Sequence, residues 1–272
     1  MTNRTTGTSN QQLLARKHIL SERPPLNWPD ETARSRDPDT VREMFDRVSG
    51  RYDLANHILS AGWDFWWRKR ATEIVAGWNP GCVLDLATGS GDLAISLQRK
   101  LSRSKITGVD FSTKMIAIAR GKGLRDGIVA DVLHLPFAAQ SFDAVTVAFG
   151  LRNMRDWSVA LREMRRVLTS NGHLLVIDFS LPANFVIRAV YRFYLHRVLP
   201  RLCALITEEK AAYQYLGASI ENFPIDRAMC DLIEAAGFAN ATATPLTAGI
   251  VTLYTAEASV LQCFDAGRIL KS

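Results

Sequence analysis

The chain has 272 residues, of which 47% are apolar and 22% charged, with a formal net charge of +6. These values fit one large domain with a full core and exclude a globally disordered chain. No run of about 18 apolar residues occurs, so no transmembrane helix is predicted. The four cysteines form no C-x-x-C pair, which argues against a disulfide scaffold or a zinc ribbon, and no metal site is predicted.

The chain is predicted to contain one domain between two tails. Residues 1–38 are polar and basic and are expected to form a flexible N-terminal arm, with an organelle transit peptide as the alternative. Residues 39–258 should form a single domain with a helical lid or substrate insertion at 180–237, and 259–272 a C-terminal tail. Helices are expected first at 40–49 and 64–78, where Trp, Phe and Met share one face.

From residue 81 onward, short apolar runs alternate with helical patterns. Strands are predicted at 81–86, 106–109, 127–130, 142–148 and 173–177, with helices at 92–101, 112–120 and 156–168. This alternation indicates an α/β Rossmann-like fold, a mostly parallel sheet with helices on both faces. Asn171-Gly172 predicts a tight turn before the fifth strand. Two last strands, 238–244 and 249–256, are expected on either side of Pro245.

A glycine loop separates the first strand from its helix. In Gly89-Ser90-Gly91, glycines let the backbone approach a ligand, and the following helix N-terminus is electropositive. With Ala94 the loop also satisfies the dinucleotide pattern G-x-G-x-x-A, so by itself it does not distinguish NAD from other nucleosides.

Three acidic residues at strand ends narrow the choice of cofactor. Asp110 can accept from both ribose hydroxyls, and Asp131 can meet an adenine edge. Asp85 precedes the glycines, where it would repel a pyrophosphate and attract an α-amino group. S-adenosylmethionine (SAM) has an amino group and no phosphate, so it fits better than NAD. The ordinary alternative is that such acids cap helices or form solvated ion pairs.

The pattern resembles the class I SAM-dependent methyltransferases. This resemblance implies a seven-stranded sheet whose last strand is antiparallel, and it adds Ser90 and Val132 to the predicted cofactor contacts.

Three further segments resemble one subfamily, the ubiquinone/menaquinone C-methyltransferases. They are Tyr52-Asp-Leu-Ala-Asn-His-Ile-Leu-Ser60, Phe149-Gly-Leu-Arg-Asn153 and Leu246-Thr-Ala-Gly-Ile-Val251. The resemblance implies methylation of a ring carbon in demethylmenaquinol or 2-methoxy-6-polyprenyl-benzoquinol, and the sequence leaves open which. The chain departs from the family pattern at Asp64, which replaces a usual His, at Ala55, which replaces a usual Met, at Asp178, which replaces a usual Glu, and in the loop Thr169-Ser170-Asn171, which replaces a usual Lys-Pro-Gly.

Arg152 is the leading catalytic candidate, since it follows the fourth strand at the ligand edge of the sheet. A guanidinium stays protonated, so it would stabilise a phenolate or hold a relaying water rather than act as a base. The alternative is a structural ion pair with Asp178 or Asp156.

The remaining candidates fall into two groups. Asp53, His57 and Asp64 form a second candidate catalytic cluster in a segment expected to fold over the cofactor, and Tyr52 is assigned to the cofactor side. Asn153, Tyr213 and Asp178 are assigned to the substrate. Trp63, Trp66 and Trp67 are expected to pack in the core or lid, with an aromatic wall for a quinone as the alternative.

Residues 184–202 predict a basic amphipathic helix. Arg188, Arg192 and His196 share one face, which suits an anionic membrane surface; a substrate-domain helix packed in the core is the alternative. The expected partners are therefore a lipid-tailed quinol and, transiently, an anionic membrane surface. The protein is expected to be cytoplasmic and peripheral at the inner face of the membrane. Whether it forms a homodimer is left open.

Three other functions stay open at this point. One is a methyltransferase for another small molecule, and another is a non-catalytic SAM-fold scaffold subunit. A nucleic-acid methyltransferase fits the basic charge, but no Asn/Asp-Pro-Pro-Tyr/Phe motif for flipped bases occurs. No nucleic-acid partner is therefore expected.

Overall fold

The computed structural model describes residue 60 and residues 62–199, 201 and 210–258 of the chain. The predicted N-terminal arm, the predicted helix at 40–49 and the predicted C-terminal tail lie outside these residues. None of the described helices is both long enough and apolar enough to cross a membrane.

A sheet of seven strands forms the centre of the described part of the chain. The strands are β1 (Cys82–Leu86), β2 (Lys105–Asp110), β3 (Asp126–Val129), β4 (Phe142–Ala148), β5 (Leu168–Phe179), β6 (Ala239–Leu246) and β7 (Val251–Glu257). Their order is β3-β2-β1-β4-β5-β7-β6, and β7 pairs antiparallel with both of its neighbours. The predicted seven-stranded sheet with an antiparallel last strand is confirmed.

Seven α-helices accompany the sheet within the described residues. They are α1 (Trp63–Gly77), α2 (Asp92–Lys100), α3 (Thr113–Gly121), α4 (Trp157–Val167), α5 (Phe185–Phe193), α6 (Lys210–Glu221) and α7 (Arg227–Ala235). One π-helical turn, Tyr194–Val198, continues α5. The predicted start of α3 is confirmed, because the Ser112 hydroxyl accepts the Met115 N–H at 3.2 Å as an N-cap.

The core lies on both faces of the sheet, because neighbouring side chains along a strand point in opposite directions. Val83 of β1 packs with Leu97 in the layer formed by α1, α2 and α3. Leu84, the next residue, packs with Leu161 in the layer formed by α4 and α7. Fully burying each such side chain contributes about 1.5–3 kcal/mol.

Two predicted boundaries are wrong. β5 begins at Leu168, and its register with β4 shifts before His173, so Asn171-Gly172 lies in an irregular stretch of the strand instead of a tight turn. Strand β6 runs through Pro245, which pairs with Thr252. Proline is tolerated there because β6 is the edge strand, where a missing N–H costs no ladder hydrogen bond.

Candidate functional site

The glycine loop between β1 and α2 is folded tightly against β2. The Thr88 N–H donates to the Val109 carbonyl at 2.9 Å, and the Gly91 N–H donates to the Thr88 carbonyl at 2.9 Å. Gly91 has a φ of +85°, and a Cβ there would lie 2.9 Å from the Cβ of Ala119. Both the backbone angle and the close approach therefore require glycine.

Asp110 is fixed beside this loop, as predicted. It is the last residue of β2 and only 5% exposed. One carboxylate oxygen accepts the Gly89 N–H and the other accepts the Ser112 N–H, each at 2.9 Å. Because a carboxylate oxygen can accept more than one hydrogen bond, this orientation is compatible with ribose hydroxyls as additional donors.

Asp85 lies one residue before the end of β1 and is almost fully buried. Its two oxygens accept hydroxyl hydrogen bonds from Thr88 at 2.6 Å and from Thr146 at 2.7 Å. Burial raises the pKa of Asp85 to about 6, and the two hydroxyls and the Arg68 charge oppose that rise. A bound cation would stabilise this carboxylate further.

Asp131 and Val132 follow β3 at the same edge of the sheet. The Ala130 N–H donates to the Asp110 carbonyl at 3.0 Å, which holds this segment against β2. The exposed Asp131 carboxylate accepts the Leu133 N–H at 2.9 Å, and Val132 is buried.

These residues fit SAM by their chemistry. Two buried carboxylates, Asp85 and Asp110, flank a loop that leaves no room for a Cβ at Gly91. Carboxylates suit an ammonium and ribose hydroxyls and would repel a pyrophosphate. Within the described part of the chain, no group of three or more His, Cys, Asp or Glu side chains is placed to hold a metal ion.

Arg152 occupies a buried pocket beside Asp178. It lies on a 3₁₀ turn after β4, and its Nη1 donates to the Asp178 carboxylate at 2.6 Å and to the Phe149 carbonyl at 2.7 Å. Its guanidinium also sits 5.2 Å from the ring centre of Phe179. The ion pair expected as the alternative is thus present with Asp178, whereas Asp156 caps α4. A catalytic role for Arg152 stays a prediction.

Phe149 lies between Arg152 and the glycine loop, and its backbone conformation was not predicted from the sequence. Its φ is +58°, in the left-handed region that costs a non-glycine residue of order 1–3 kcal/mol. The Arg68 guanidinium lies 5.7 Å from its ring centre. The adjacent Gly150 approaches the loop so closely that a Cβ would lie 2.5 Å from the Cβ of Ala87. The Phe149–Asn153 segment was identified from the sequence as a family motif, but nothing in that motif indicated the backbone angle of Phe149.

Asp64 lies in the first turn of α1 and is buried. It accepts the Ser60 hydroxyl at 2.7 Å and forms an ion pair with Arg68. Arg68 also reaches Asp92 of α2, with 3.7 Å between Nη2 and Oδ2. Ser90, buried in the glycine loop, accepts from Lys122 at 3.2 Å. Arg68 was missed, although its position four residues after Asp64 on a helix is a typical ion-pair spacing.

The other predicted site residues are placed as follows. Asn153 adjoins Arg152, with its Nδ2 3.5 Å from the Phe149 carbonyl, so Arg152, Asn153 and Asp178 come together. Tyr213 lies on α6. Tyr52, Asp53 and His57 lie outside the described residues.

Of the three tryptophans in α1, Trp67 is buried and Trp63 and Trp66 are exposed. Packing in the core is therefore confirmed for Trp67, and lid packing of Trp63 and Trp66 stays a prediction. The Trp67 Nε1 donates to the Thr247 hydroxyl at 2.8 Å, which ties α1 to the turn before β7.

Comparison with solved structures supports the fold. The chain superposes with a TM-score of 0.56 on a SAM-dependent methyltransferase from Thermotoga maritima, at 17% identity over 80% of this chain and 99% of that one. It superposes with a TM-score of 0.58 on a Haemonchus contortus phosphoethanolamine N-methyltransferase 2 in complex with S-adenosylhomocysteine, at 15% identity over 80% and 60% of the two chains.

Sequence relatives are considerably more similar. A demethylmenaquinone methyltransferase of Thermus thermophilus is 44% identical over 72% of this chain and 91% of its own. A ubiquinone/menaquinone biosynthesis C-methyltransferase of Syntrophotalea carbinolica is 42% identical over 79% and 92% of the two chains. The model of the ubiE/COQ5 methyltransferase family matches residues 32–257. The chain belongs to this family of SAM-dependent methyltransferases.

Proposed function

We propose that the protein transfers the methyl group of SAM to a ring carbon of a polyprenyl quinol, with demethylmenaquinol as the first substrate to test. The observation that carries this proposal is the Arg152–Asp178 pair, which lies at the same sheet edge as the cofactor loop and is joined to it through Phe149 and Gly150. The printed names of the sequence relatives support the substrate class.

Carbon methylation requires a nucleophilic ring carbon. SAM supplies an electrophilic methyl group when it is bound. A phenol has a pKa of about 10, so the protein must favour the phenolate to make the adjacent carbon nucleophilic. We assign that role to Arg152, which is 6% exposed and therefore acts in a poorly solvated environment.

Asp178 positions Arg152 for this task. It accepts both the Arg152 backbone N–H at 3.2 Å and its Nη1 at 2.6 Å. The pair is electrically neutral as a unit, so it would favour a phenolate through directed hydrogen bonding rather than through net charge. Asp53, His57 and Asp64 remain the candidates for accepting the proton that the quinol hydroxyl loses.

The substrate's polyprenyl tail requires a lipid-facing surface, and we assign it to α5. Phe185, Val190 and Phe193 are 78%, 64% and 63% exposed on the outer side of this helix. Tyr191 and Leu195, on the inner side, are buried. An amphipathic helix of this kind suits a peripheral protein that lies in the membrane interface.

The arginines of this region have partners within the protein. Arg192 contacts Glu221 at 2.8 Å, His196 contacts the same carboxylate at 3.2 Å, and Arg188 donates to the Pro182 carbonyl at 2.8 Å. The predicted basic face of this helix thus contacts α6 and the loop before α5. The apolar face is therefore the better candidate for contact with lipid.

The substrate proposal is tested by incubating the protein with SAM and chemically reduced demethylmenaquinol or 2-methoxy-6-polyprenyl-benzoquinol. We expect a methylated product by mass spectrometry and complementation of a strain lacking the matching quinone methylase. Normal SAM binding with no methylation of either quinol would contradict the proposal. The oxidised quinone serves as the negative control, because it is not nucleophilic.

The membrane proposal is tested with Phe185→Ser/Val190→Ser in vesicle flotation. Loss of two exposed apolar side chains should weaken binding about tenfold or more. Val129→Ser, which changes another exposed apolar residue, is the matched control. If the double variant floats with vesicles as wild type does, α5 contacts something other than lipid.

A further inference from the structure

A groove of about 520 Å³ lies between α1 and α2 beside the glycine loop, and Arg68, Asp92 and Lys122 line it. Thr72 and Ser96 meet across it, with 2.9 Å between their hydroxyl oxygens. Ile95 provides an apolar part of the wall. The volume falls within the range of about 300–1,000 Å³ that is typical of small-molecule sites.

The charged lining of this groove is predominantly positive. Both acids of the lining are neutralised: Asp92 by Arg68 and Lys122, and Glu73 by Arg70, which lies 3.8 Å away outside the groove. Three exposed cations of the lining make no ion pair with any residue that the structure describes: Lys69, Arg99 and Lys100. The groove therefore carries three uncompensated positive charges and suits an anionic occupant.

The first turns of α1 carry three exposed aromatic side chains, of which one lines the groove. Phe65 lines it and is 63% exposed. Trp63 and Trp66 are 50% and 46% exposed and pack edge-to-face with ring centres 6.0 Å apart. Aromatic residues are enriched at the interface between lipid headgroups and acyl chains.

The first turns of α1, which carry these aromatics, and the residues just before α5 are held by the same short segment of the chain. The neighbouring Trp67 donates to Thr247, and Ser180, which precedes α5, donates to the Gly249 carbonyl at 2.7 Å. Both segments are thus attached to one turn, Thr247–Gly249.

We infer that the groove between α1 and α2 binds the headgroup of an anionic glycerophospholipid. The phosphodiester would be bound by Lys69, Arg99 and Lys100, and the aromatics of α1 would enter the interface beside it. This inference rests on the proposed membrane association and deepens it, since it assigns a lipid-specific contact in addition to the non-specific apolar face of α5.

The test compares Lys69→Glu/Arg99→Glu with wild type in binding to vesicles containing phosphatidylglycerol and to vesicles of phosphatidylcholine alone. Each basic residue near an anionic surface contributes about a fivefold gain in partitioning, so the double reversal should lower binding to the anionic vesicles about tenfold or more. Binding to the neutral vesicles should not change. Arg103→Glu/Arg162→Glu, which changes two other exposed cations by the same charge, should bind almost as wild type does.

Further measurements separate the possible outcomes. The groove variant Lys69→Glu/Arg99→Glu should match wild type in SAM affinity, thermal midpoint and turnover of a detergent-dispersed quinol. Lys69→Ala/Arg99→Ala should show an intermediate loss of binding to anionic vesicles. Equal binding of wild type and the groove variant to anionic vesicles overturns the inference, as does an equal loss in the control variant. Displacement from vesicles by millimolar glycerol phosphate would also overturn it, in favour of a soluble phosphate ligand. Absence of vesicle binding by wild type itself would instead contradict the membrane part of the proposed function.

Discussion

We propose that the Asp110 region of this sheet edge is the cofactor side and that the Arg152 region is the substrate side; the two are stabilised by different kinds of contact. Around Asp110, the carboxylate is held by backbone N–H groups of residues close to it in the chain or in the adjacent loop. Around Arg152, the guanidinium is held by another buried charge, Asp178, from the neighbouring strand.

This difference determines how much stability each side loses when one of its side chains is substituted. Backbone donors are neutral and remain in place when a side chain is changed. A buried ion pair leaves an uncompensated charge when one partner is removed, which typically costs about 3–5 kcal/mol. The substrate side should therefore be the more fragile of the two.

The largest expected effect is that of Arg152→Ala. Loss of a preorganised donor typically lowers the rate about 10²–10³-fold, and the charge of Asp178, which is fully buried, would be left unpaired. We expect poor methylation in a reduced-quinol assay, a much lower free energy of unfolding, and SAM binding close to normal by calorimetry.

A second variant separates catalysis from stability. Arg152→Ala/Asp178→Asn removes the orphaned charge, so it should recover much of the stability without recovering turnover. Arg152→Lys keeps a charge but loses the planar fork and should recover only part of the activity. Arg155→Ala, a nearby exposed arginine, is the control. If Arg152→Ala/Asp178→Asn turns over at the wild-type rate, Arg152 has only a structural role.

The cofactor side is tested by Asp110→Ala. Removing a charge-assisted acceptor should weaken SAM binding by about 10–150-fold, or roughly 1.5–3 kcal/mol. The Gly89 and Ser112 N–H groups would also lose their partner, so a moderate fall in thermal midpoint is expected. Calorimetry that gives wild-type SAM affinity would contradict the assignment of Asp110 to the ribose.

The same contrast explains how much could be predicted from sequence. The glycine loop and Asp110 lie close together in the chain, so spacing suffices to place them, and periodicity predicts the parallel strands apart from the start of β5. The position of α1 depends on contacts between distant residues, such as Trp67 with Thr247, which are 180 positions apart. Periodicity carries no information about such pairs.

Two residues show what could not be predicted from the sequence. The catalytic role of Asp64 stays a prediction, but its burial against Arg68 was not predicted, although its helical spacing could have indicated that contact. Phe149 has a left-handed backbone that neither propensity nor pattern predicts, because only the surrounding packing can maintain it. Strain at a site is imposed by tertiary structure, so it cannot be recognised in the sequence alone.

The smallest expected effect concerns Asp85 and sharpens the description of the cofactor side. Its pKa of about 6 lies above the ordinary value of 3.8, so the folded protein binds more protons than the unfolded chain between these two values. In the absence of SAM, the contribution of Asp85 to stability should therefore fall as the pH rises from about 4 to 6. Asp85→Asn should remove this fall and be more stable than wild type at pH 7, with the difference shrinking toward pH 4.

SAM binding should change in the opposite direction with pH. An α-amino group is protonated below pH 7, and it favours the ionised form of Asp85. SAM affinity of the wild type should thus fall about tenfold between pH 6.5 and 5, because each binding event must then displace a proton from the carboxyl group. In Asp85→Asn the affinity should be lower at pH 7 and nearly flat across this range. Calorimetry in buffers of different ionisation enthalpy measures the released proton directly, and a wild-type affinity independent of pH would show that Asp85 does not contact the amino group.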